Sequence, residues 1–261
     1  MAQDIHQAVR EVCLWLPESE EFTSHGSPNF RVRGRTFATY AVNHHGDGRT
    51  ALWLNAPAGA QELYVGAEPR HYFVPPYVGP RGWLGVNLDS GLPWKRIAAL
   101  VREAYEKTAP PTLAATVGKT PVIKPPRAAL KAGDVDPWRT RRGRMLLTRL
   151  RKLLIALPEV GEFTQFGRPA WKAGKRTFAI AQYDGARLEL SFWVGALNQG
   201  LLTADGRFRV PAYFGHNGWI ALDVARTADW IEIGGLALES YRHFALKRMI
   251  AAMGASRRPG Q

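Results

Sequence analysis

The 261-residue sequence contains one cysteine, Cys13, so no disulfide bond can form within the chain. It also lacks an apolar run approaching the ~20 residues that a membrane-spanning helix needs. The N-terminal stretch MAQDIHQAVREV has neither the basic patch nor the apolar core of a secretory signal. These absences favour a cytoplasmic protein that has no membrane partner.

Sequence patterns typical of enzymes are missing as well. The chain has no phosphate-binding Walker loop, no G-x-S-x-G turn and no spaced Ser/His/Asp set. Its seven histidines are scattered, and His44 and His45 have no cysteine or carboxylate at metal-ligand spacing. Glu21 and Glu162 each precede Phe-Thr, but a single repeated glutamate is more typical of a cap or an ion pair than of a general base. We therefore predict a protein that is not an enzyme, with no catalytic residue, no cofactor and no metal site.

Acidic residues are scarce in the middle of the chain. Residues 1–110 carry 11 Lys or Arg against 11 Asp or Glu, whereas residues 111–152 carry 11 against 2, a net charge of +9. Residues 153–261 carry 13 against 9, a net charge of +4. Dense basic segments are typical of proteins that contact nucleic-acid phosphates. The charge distribution favours such contact mainly for the middle of the chain.

The chain contains an internal repeat. Residues 16–38 align with residues 157–179 without a gap, and 12 of these 23 positions are identical. A second block, 72–86, aligns with 208–222, and its offset continues through a closing helical segment. Collinear blocks of this kind indicate a tandem duplication of one domain.

The repeat predicts two domains, at residues 1–108 and 138–253. Between them, residues 109–137 are rich in Pro, Ala and Lys, which favours a linker that is mostly unstructured. A basic disordered tail is predicted at residues 254–261.

Helical spacing of apolar residues predicts a first helix over residues 4–16 and a closing helix over 93–106, the latter extended to about 228–250 in the second copy. Between these helices the first copy is predicted to hold a hairpin, further strands and a short helical segment, at 29–42, 50–56, 71–74, 83–88 and 58–66. This order predicts the α+β class, as two tandem α-β-α sandwich domains whose terminal helices share one face of an antiparallel sheet.

The predicted hairpins place Arg33-Gly34 at one tip and Gly174-Lys175 at the other. Glycine in the second tip position suits a type I′ turn, whereas glycine in the first position suits a type II′ turn. With these tips, each hairpin brings two aromatic residues opposite each other, Phe30 with Phe37 and Trp171 with Phe178.

The ordered blocks LPE…EF…G.P.F…GR.FA and P.YVG..GW, followed by a helix with Trp, Leu and Tyr, resemble the MmcQ/YjbR family of small bacterial proteins, here as two tandem copies. The resemblance implies a frataxin-like (CyaY-like) fold and DNA binding through basic hairpin wings. Many family members carry a histidine just before the Trp of the second block, where this sequence has Gly82 and Gly218. A role that rests on that histidine is therefore not carried over. Iron binding, which frataxin relatives perform with an acidic first helix, is disfavoured because the second copy has a basic helix there.

The loop YVG..GW places aromatic residues beside glycines, at Tyr77 and Trp83 in the first copy and at Tyr213 and Trp219 in the second. We predict a turn between two strands whose aromatic side chains are buried against the helices. The alternative is a stacking surface for bases, which requires these rings to be exposed.

Two groups of cations are candidate DNA contacts, one at the hairpin tips and one in the segment 139–152. The candidate residues are Arg31, Arg33, Arg35, Arg139, Arg141, Arg142, Arg144, Lys172, Lys175 and Arg176. Such cations bind phosphates and release counterions, although charged hairpin tips also keep edge strands soluble. The sequence thus predicts non-enzymatic DNA binding. The alternative is a protein-interaction or small-ligand module without a nucleic-acid role, and the oligomeric state stays open.

Overall fold

The structure is a computed structural model that describes residues 4–24, 26–126, 130–184, 187–212 and 214–255, without the side chains of residues 132, 184, 254 and 255. The chain divides into two compact units, residues 1–135 and 136–261, which we call the first and second domain. The predicted tail lies outside the described residues from position 256 onward.

The two domains repeat one order of elements. The first domain contains α1 (Ile5–Leu14), β1 (Ser19–Ser24), β2 (Ser27–Val32), β3 (Arg35–Val42), β4 (Thr50–Leu54), α2 (Ala60–Ala67), β5 (Tyr72–Phe73), β6 (Leu84–Asn87), α3 (Trp94–Thr108), α4 (Pro111–Ala114) and α5 (Ala132–Val135). The second contains α6 (Arg141–Ile155), β7 (Val160–Gln165), β8 (Arg168–Ala173), β9 (Arg176–Asp184), β10 (Arg187–Trp193), α7 (Gly195–Leu202), β11 (Phe208–Arg209), β12 (Trp219–Asp223), α8 (Trp230–Phe244) and α9 (Lys247–Ala255).

Each domain forms one six-stranded antiparallel sheet. The strand order is β1-β2-β3-β4-β6-β5 in the first domain, and the same order recurs in the second as β7-β8-β9-β10-β12-β11. The predicted α+β class and the two tandem sheet-and-helix domains are therefore confirmed.

The terminal helices of each domain share one core with the sheet. In the first domain α1 and α3 enclose residues such as Val9 and Phe37, and in the second α6 and α8 enclose Trp171 and Phe178. The closing helix is tied to the end of the first helix in both copies. The hydroxyl of Tyr105 donates a hydrogen bond to the carbonyl of Pro17 at 2.6 Å, and Tyr241 does the same to Pro158 at 2.8 Å.

A smaller apolar cluster lies on the opposite face of each sheet, because side chains alternate along a strand. Trp83 packs there beside Trp53 in the first domain, and Trp219 packs beside Ile180 in the second. The prediction that the loop aromatics are buried against the helices is therefore wrong for Trp83. It is also wrong for Tyr77, which is 66% exposed and has a φ of 63°. Trp219 is buried on the corresponding face, where its only helix contact among the ring pairs of the described residues is with Phe244 at the end of α8. Tyr213 lies outside the described residues.

A glutamine that the sequence analysis did not single out anchors this loop in both copies. Gln61 on α2 donates hydrogen bonds to the carbonyls of Gly79 and Trp83. Gln199 on α7 donates to the carbonyls of the corresponding residues, 215 and 219. The short helix therefore fixes the loop to the end of the sheet in each domain.

The hairpin tips have the predicted turn types. Arg33 and Gly34 have φ values of 49° and 76°, as a type I′ turn requires, whereas in the second tip only Gly174 has a positive φ, 61°. The two residue pairs nearest each tip keep the register that the tip implies, but the predicted pairing of aromatic residues at the third pair is wrong. Phe30 lies opposite Ala38, and residue 171 lies opposite residue 179, because a β-bulge shifts the register in both hairpins.

The structure contains elements that apolar periodicity alone did not predict. The strands β1 and β7 pair with β2 and β8, and the second of these pairs is joined by a turn at residues 166–167. The helix predicted at 228–250 is broken, because Ala245 is extended with a ψ of 145°. After this break α9 turns back toward the second hairpin, and its Met249 is completely buried.

The segment 109–137 differs in part from the expected unstructured linker. Its residues Leu113 and Val117 pack against the core of the first domain, and Ile123 is buried in that core. The guanidinium of Arg102 also donates a hydrogen bond to the carbonyl of Gly118 at 3.2 Å. The first domain therefore uses this segment up to residue 123 as part of its packing.

Candidate nucleic-acid interface

The hairpin between β2 and β3, which we call the first wing, is largely neutralised by nearby carboxylates. Arg31 donates from Nε to Glu20 at 2.7 Å. Arg33 at the tip forms a two-pronged ion pair with Glu18, which raises the pKa of the guanidinium above its ordinary value. Arg35 is exposed and has no ion-pair partner within the described part of the chain. The first wing thus presents a single unpaired cation.

The hairpin between β8 and β9, which we call the second wing, retains its charge. Lys172, Lys175 and Arg176 are all exposed, and none has a carboxylate partner among the residues that the structure describes. The Lys172 ammonium lies 5.4 Å from the centre of the Phe163 ring, a cation–π contact that leaves the charge in place. The two wings are therefore alike in fold and different in available charge.

The densest group of available cations lies on α6. We call it the α6 stripe: it lines a shallow groove with Met145 and Thr148 and consists of Arg141, Arg144, Arg149 and Lys152. Residues three positions apart are neighbours on a helix, so Arg141 lies beside Arg144 and Arg149 beside Lys152, and the two pairs follow each other along the helix axis. All four are exposed, and none has a carboxylate partner in the described residues.

The start of α6 carries charge of the unfavourable sign. The backbone N–H groups at a helix N-terminus carry partial positive charge, which acidic residues normally offset by about 0.3–1 kcal/mol each. The first turn of α6 has no acidic residue and contains Arg141, Arg142 and Arg144 instead, with Thr140 as the N-cap. In α8, by contrast, Asp229 caps the helix and Glu232 lies in the first turn. A bound anion would relieve this accumulation of charge on α6.

The remaining candidates on this segment have local partners. Arg142 donates from its guanidinium to the carbonyls of Val224 and Arg226, at 3.1 and 2.7 Å, and so holds the loop before α8. Arg139 lies 3.6 Å from Asp136. Arg142 therefore supports the fold. The stripe cations are exposed, although Arg144 among them also donates a hydrogen bond to the carbonyl of Arg139.

Three cations of this region were not among the candidates. Arg149 and Lys152 lie in the α6 stripe, and the Arg149 guanidinium stacks over Trp230 at 4.6 Å. Arg168, the first residue of β8, lines a cleft beside the start of α6. Comparison of the two copies could have found it, because Ser27 occupies the matching position in the first copy.

The repeated glutamates take the predicted role of ion-pair partners. Glu21 accepts a hydrogen bond from Arg10 at 2.7 Å, and Glu162 accepts one from Arg151 at 2.9 Å. Because each pair joins the first helix to the first strand, it belongs to the scaffold of both domains.

The described residues contain neither a metal-ligand cluster nor a membrane-spanning helix. No three His, Cys, Asp or Glu side chains of that set are grouped so that they could hold a metal ion. Within the same residues, none of the helices is both long and apolar enough to cross a membrane.

The structure is therefore that of a tandem α+β protein whose second domain begins with the basic helix α6. The YjbR family model matches residues 14–107 and again residues 155–243. The chain belongs to the YjbR family and carries the family domain twice.

Among curated proteins, none matches this chain. Among solved structures, the chain is similar to a Deinococcus radiodurans protein, DR2400, whose family-model domain is DUF419. The sequence identity is 24%, over 40% of this chain and 77% of that one, with a TM-score of 0.35.

Proposed function

We propose that the protein binds double-stranded DNA without sequence preference and without catalysis, through the α6 stripe. The observation that carries this proposal is the line of four exposed cations, none paired with a carboxylate of the described residues, on a helix whose first turn has no acid. Phosphate contacts of this kind supply affinity and carry no sequence information.

The length of the stripe suits a DNA strand. From Arg141 to Lys152 the helix rises about 16 Å, at about 1.5 Å per residue. One strand of a duplex presents a phosphate about every 3.4 Å along the axis. The stripe therefore matches about five consecutive phosphates, which is enough for each of its cations to have one.

The two wings contribute unequally to the proposed interface. The second wing offers Lys172, Lys175 and Arg176 as additional phosphate contacts, because none of them is held by a carboxylate of the described residues. In the first wing, two of three arginines would have to leave an ion pair before they bind a phosphate. We therefore assign DNA contact to the second domain.

Matched variants test this assignment by fluorescence anisotropy with a random duplex of about 25 bp at low salt. Replacing three stripe cations, as R141Q/R149Q/K152Q, is expected to weaken binding on the order of 100-fold because three phosphate contacts are lost. The variant R31Q/R33Q/R35Q removes the same formal charge from the first wing and is expected to change affinity by less than about threefold. Equal losses in the two variants would contradict the assignment to α6.

A protein partner is the second candidate function, and it is favoured by one observation. Leu197 and Leu201 lie one turn apart on α7, with 82% and 70% of their surfaces exposed. Neighbouring exposed leucines are typical of a helix that binds a protein groove. If sedimentation shows that the chain self-associates, and L197S/L201S abolishes this without affecting DNA binding, α7 is such an interface.

A further inference from the structure

A cleft of about 320 Å³ lies within the second domain, where α6 and the turn before it face the edge of the sheet at β7 and β8. Four arginines line it, from three different stretches of chain: Arg139, Arg144, Arg151 and Arg168. A volume of this order is typical of sites for small ligands, which bind in concave places with a few convergent polar groups.

Two of the four guanidinium groups are matched by acids in the cleft wall. Arg151 lies 2.8 Å from Glu162, and Arg139 lies 3.6 Å from Asp136. The other two have only neutral acceptors in the described residues: Arg168 donates to the side-chain oxygen of a glutamine at 3.2 Å, and Arg144 donates to a backbone carbonyl. The cleft therefore has an excess of two positive charges.

We propose that this cleft binds a phosphomonoester dianion, recognised by Arg144 and Arg168. A phosphomonoester carries two negative charges above its second pKa, near 6, so its charge matches the excess of the cleft. Guanidinium groups bind phosphate oxygens through paired, charge-assisted hydrogen bonds. The cleft is larger than a phosphate group, which leaves room for the organic part of the ligand beside Tyr183, whose ring lies 5.4 Å from the Arg168 guanidinium.

The first copy of the repeat supports this reading. It retains the ion pair between helix and strand as Arg10 and Glu21, but it has Ser27 in place of Arg168 and Val42 in place of Tyr183. Because both copies build the same sheet, the fold itself does not require an arginine or a tyrosine at these positions. The added groups are specific to the second copy, and they converge on the cleft.

The proposed site shares one residue with the duplex-binding surface, because Arg144 lines the cleft and also belongs to the α6 stripe. Arg141, Arg149 and Lys152 of the stripe do not line the cleft, and Arg168 does not belong to the stripe. The phosphomonoester can be carried by a free nucleotide or by the 5′ end of a nucleic-acid strand, since both present the same dianion.

Isothermal titration of the full chain with adenosine 5′-monophosphate at pH 7.5 tests the site. We expect saturable binding of one ligand per chain, no binding of adenosine, and competition by inorganic phosphate. R168Q is expected to weaken binding at least about tenfold, since it removes a charge-assisted hydrogen bond. The matched control R242Q removes an exposed arginine of α8 outside the cleft and is expected to leave affinity unchanged.

At pH 5 the ligand loses one charge, and its affinity is expected to fall.

Additional variants and ligands complete the test of the cleft. R168K keeps the charge and loses the planar guanidinium, so it is expected to bind with intermediate affinity, and thermal unfolding checks that each variant is folded. A single-stranded oligonucleotide with a 5′-phosphate, compared with its 5′-hydroxyl form, distinguishes a strand end from a free nucleotide. The variant R141Q/R149Q/K152Q is expected to lose duplex binding and to keep nucleotide binding. The two measurements therefore test the duplex proposal and the phosphomonoester proposal independently. Absence of binding to every phosphomonoester, or equal binding by R168Q and R242Q, overturns the site.

Discussion

At the scale of single residues, a glycine on α6 positions the basic turn that precedes this helix. A Cβ atom at Gly143 would lie 2.5 Å from the carbonyl oxygen of Pro137 and 2.7 Å from the Cα of Trp138. Because Gly143 has no side chain, the turn Pro137–Arg139 can lie directly on the first turn of α6, and Trp138 enters the core. The same packing brings Arg139 to the cleft.

Gly143→Ala is therefore expected to lower the free energy of unfolding of the second domain by about 1–3 kcal/mol, as in overpacked cores, measured by urea denaturation. Gly235→Ala on α8 is the matched control, because a Cβ there meets nothing within 4 Å. That variant is expected to raise stability by up to about 1 kcal/mol, since alanine favours a helix interior over glycine. A stabilised G143A variant would show that the turn does not rest on α6.

Cys13 is completely buried on α1, and this burial raises the pKa of its thiol well above the ordinary value. We expect the folded protein to resist alkylation by iodoacetamide at pH 8 and to react readily in urea, because the thiolate is the reactive form. The raised pKa favours the folded state fully below the ordinary thiol pKa, about 8.5, and this stabilisation is lost as the pH rises through the folded-state pKa. Rapid stoichiometric labelling without denaturant would contradict this.

At the scale of elements, the sequence was informative where local chemistry determines structure. Turn types follow from the glycine position in each tip, and the helices follow from apolar spacing. The bulges, which leave Phe37 of β3 and Phe178 of β9 without a cross-strand partner, were not predictable, because they depend on how neighbouring strands twist together over the core. The strands β1 and β7 have no fully buried residue, so their apolar pattern gives a weak signal in the sequence. The break before α9 depends on the burial of Met249 against residues distant in sequence.

The packing of α9 is tested by Met249→Ala. Met249 is completely buried, and its sulfur accepts a hydrogen bond from the backbone N–H of Leu246. We expect a loss of about 2–5 kcal/mol in the free energy of unfolding, as for other large-to-small core substitutions. Met145→Ala on α6 is the control: Met145 is 64% exposed, and its loss is expected to change stability by less than about 0.5 kcal/mol. Similar effects of both substitutions would mean that α9 does not pack on the core.

The candidate interface was also predictable from the sequence only in part. The basic character of α6 is visible in the sequence, and its candidate residues Arg141 and Arg144 are both exposed. The ion pairs of Arg31 with Glu20 and of Arg33 with Glu18 were not predicted. They depend on the pairing of β1 with β2, and the strand β1 was not predicted from the sequence. To predict which charged side chains meet in space, one must know how the strands pair and in which register. Local sequence patterns do not specify this register.

At the scale of the whole molecule, two copies of one fold carry different charge. Residues 1–135, the first domain, carry 15 Lys or Arg against 12 Asp or Glu, a net charge of +3, whereas residues 136–261 carry 20 against 10, a net charge of +10. The scaffold contacts recur in both domains, including the ion pair of helix and strand and the hydrogen bond of the closing tyrosine. The cations of the α6 stripe and the cleft belong to the second domain alone. The two copies therefore share the fold, and the proposed anion-binding surface lies on the second copy.

The salt dependence of duplex binding tests the central claim most directly. Measured between about 50 and 200 mM salt, the slope of log Kobs against log[salt] is expected near −4 or steeper for the wild-type chain, at about −0.9 per phosphate contacted by the stripe and more if the second wing takes part. In R141Q/R149Q/K152Q the slope is expected to become shallower by about 3. A wild-type slope near zero, or a slope that this variant leaves unchanged, would contradict DNA binding by α6.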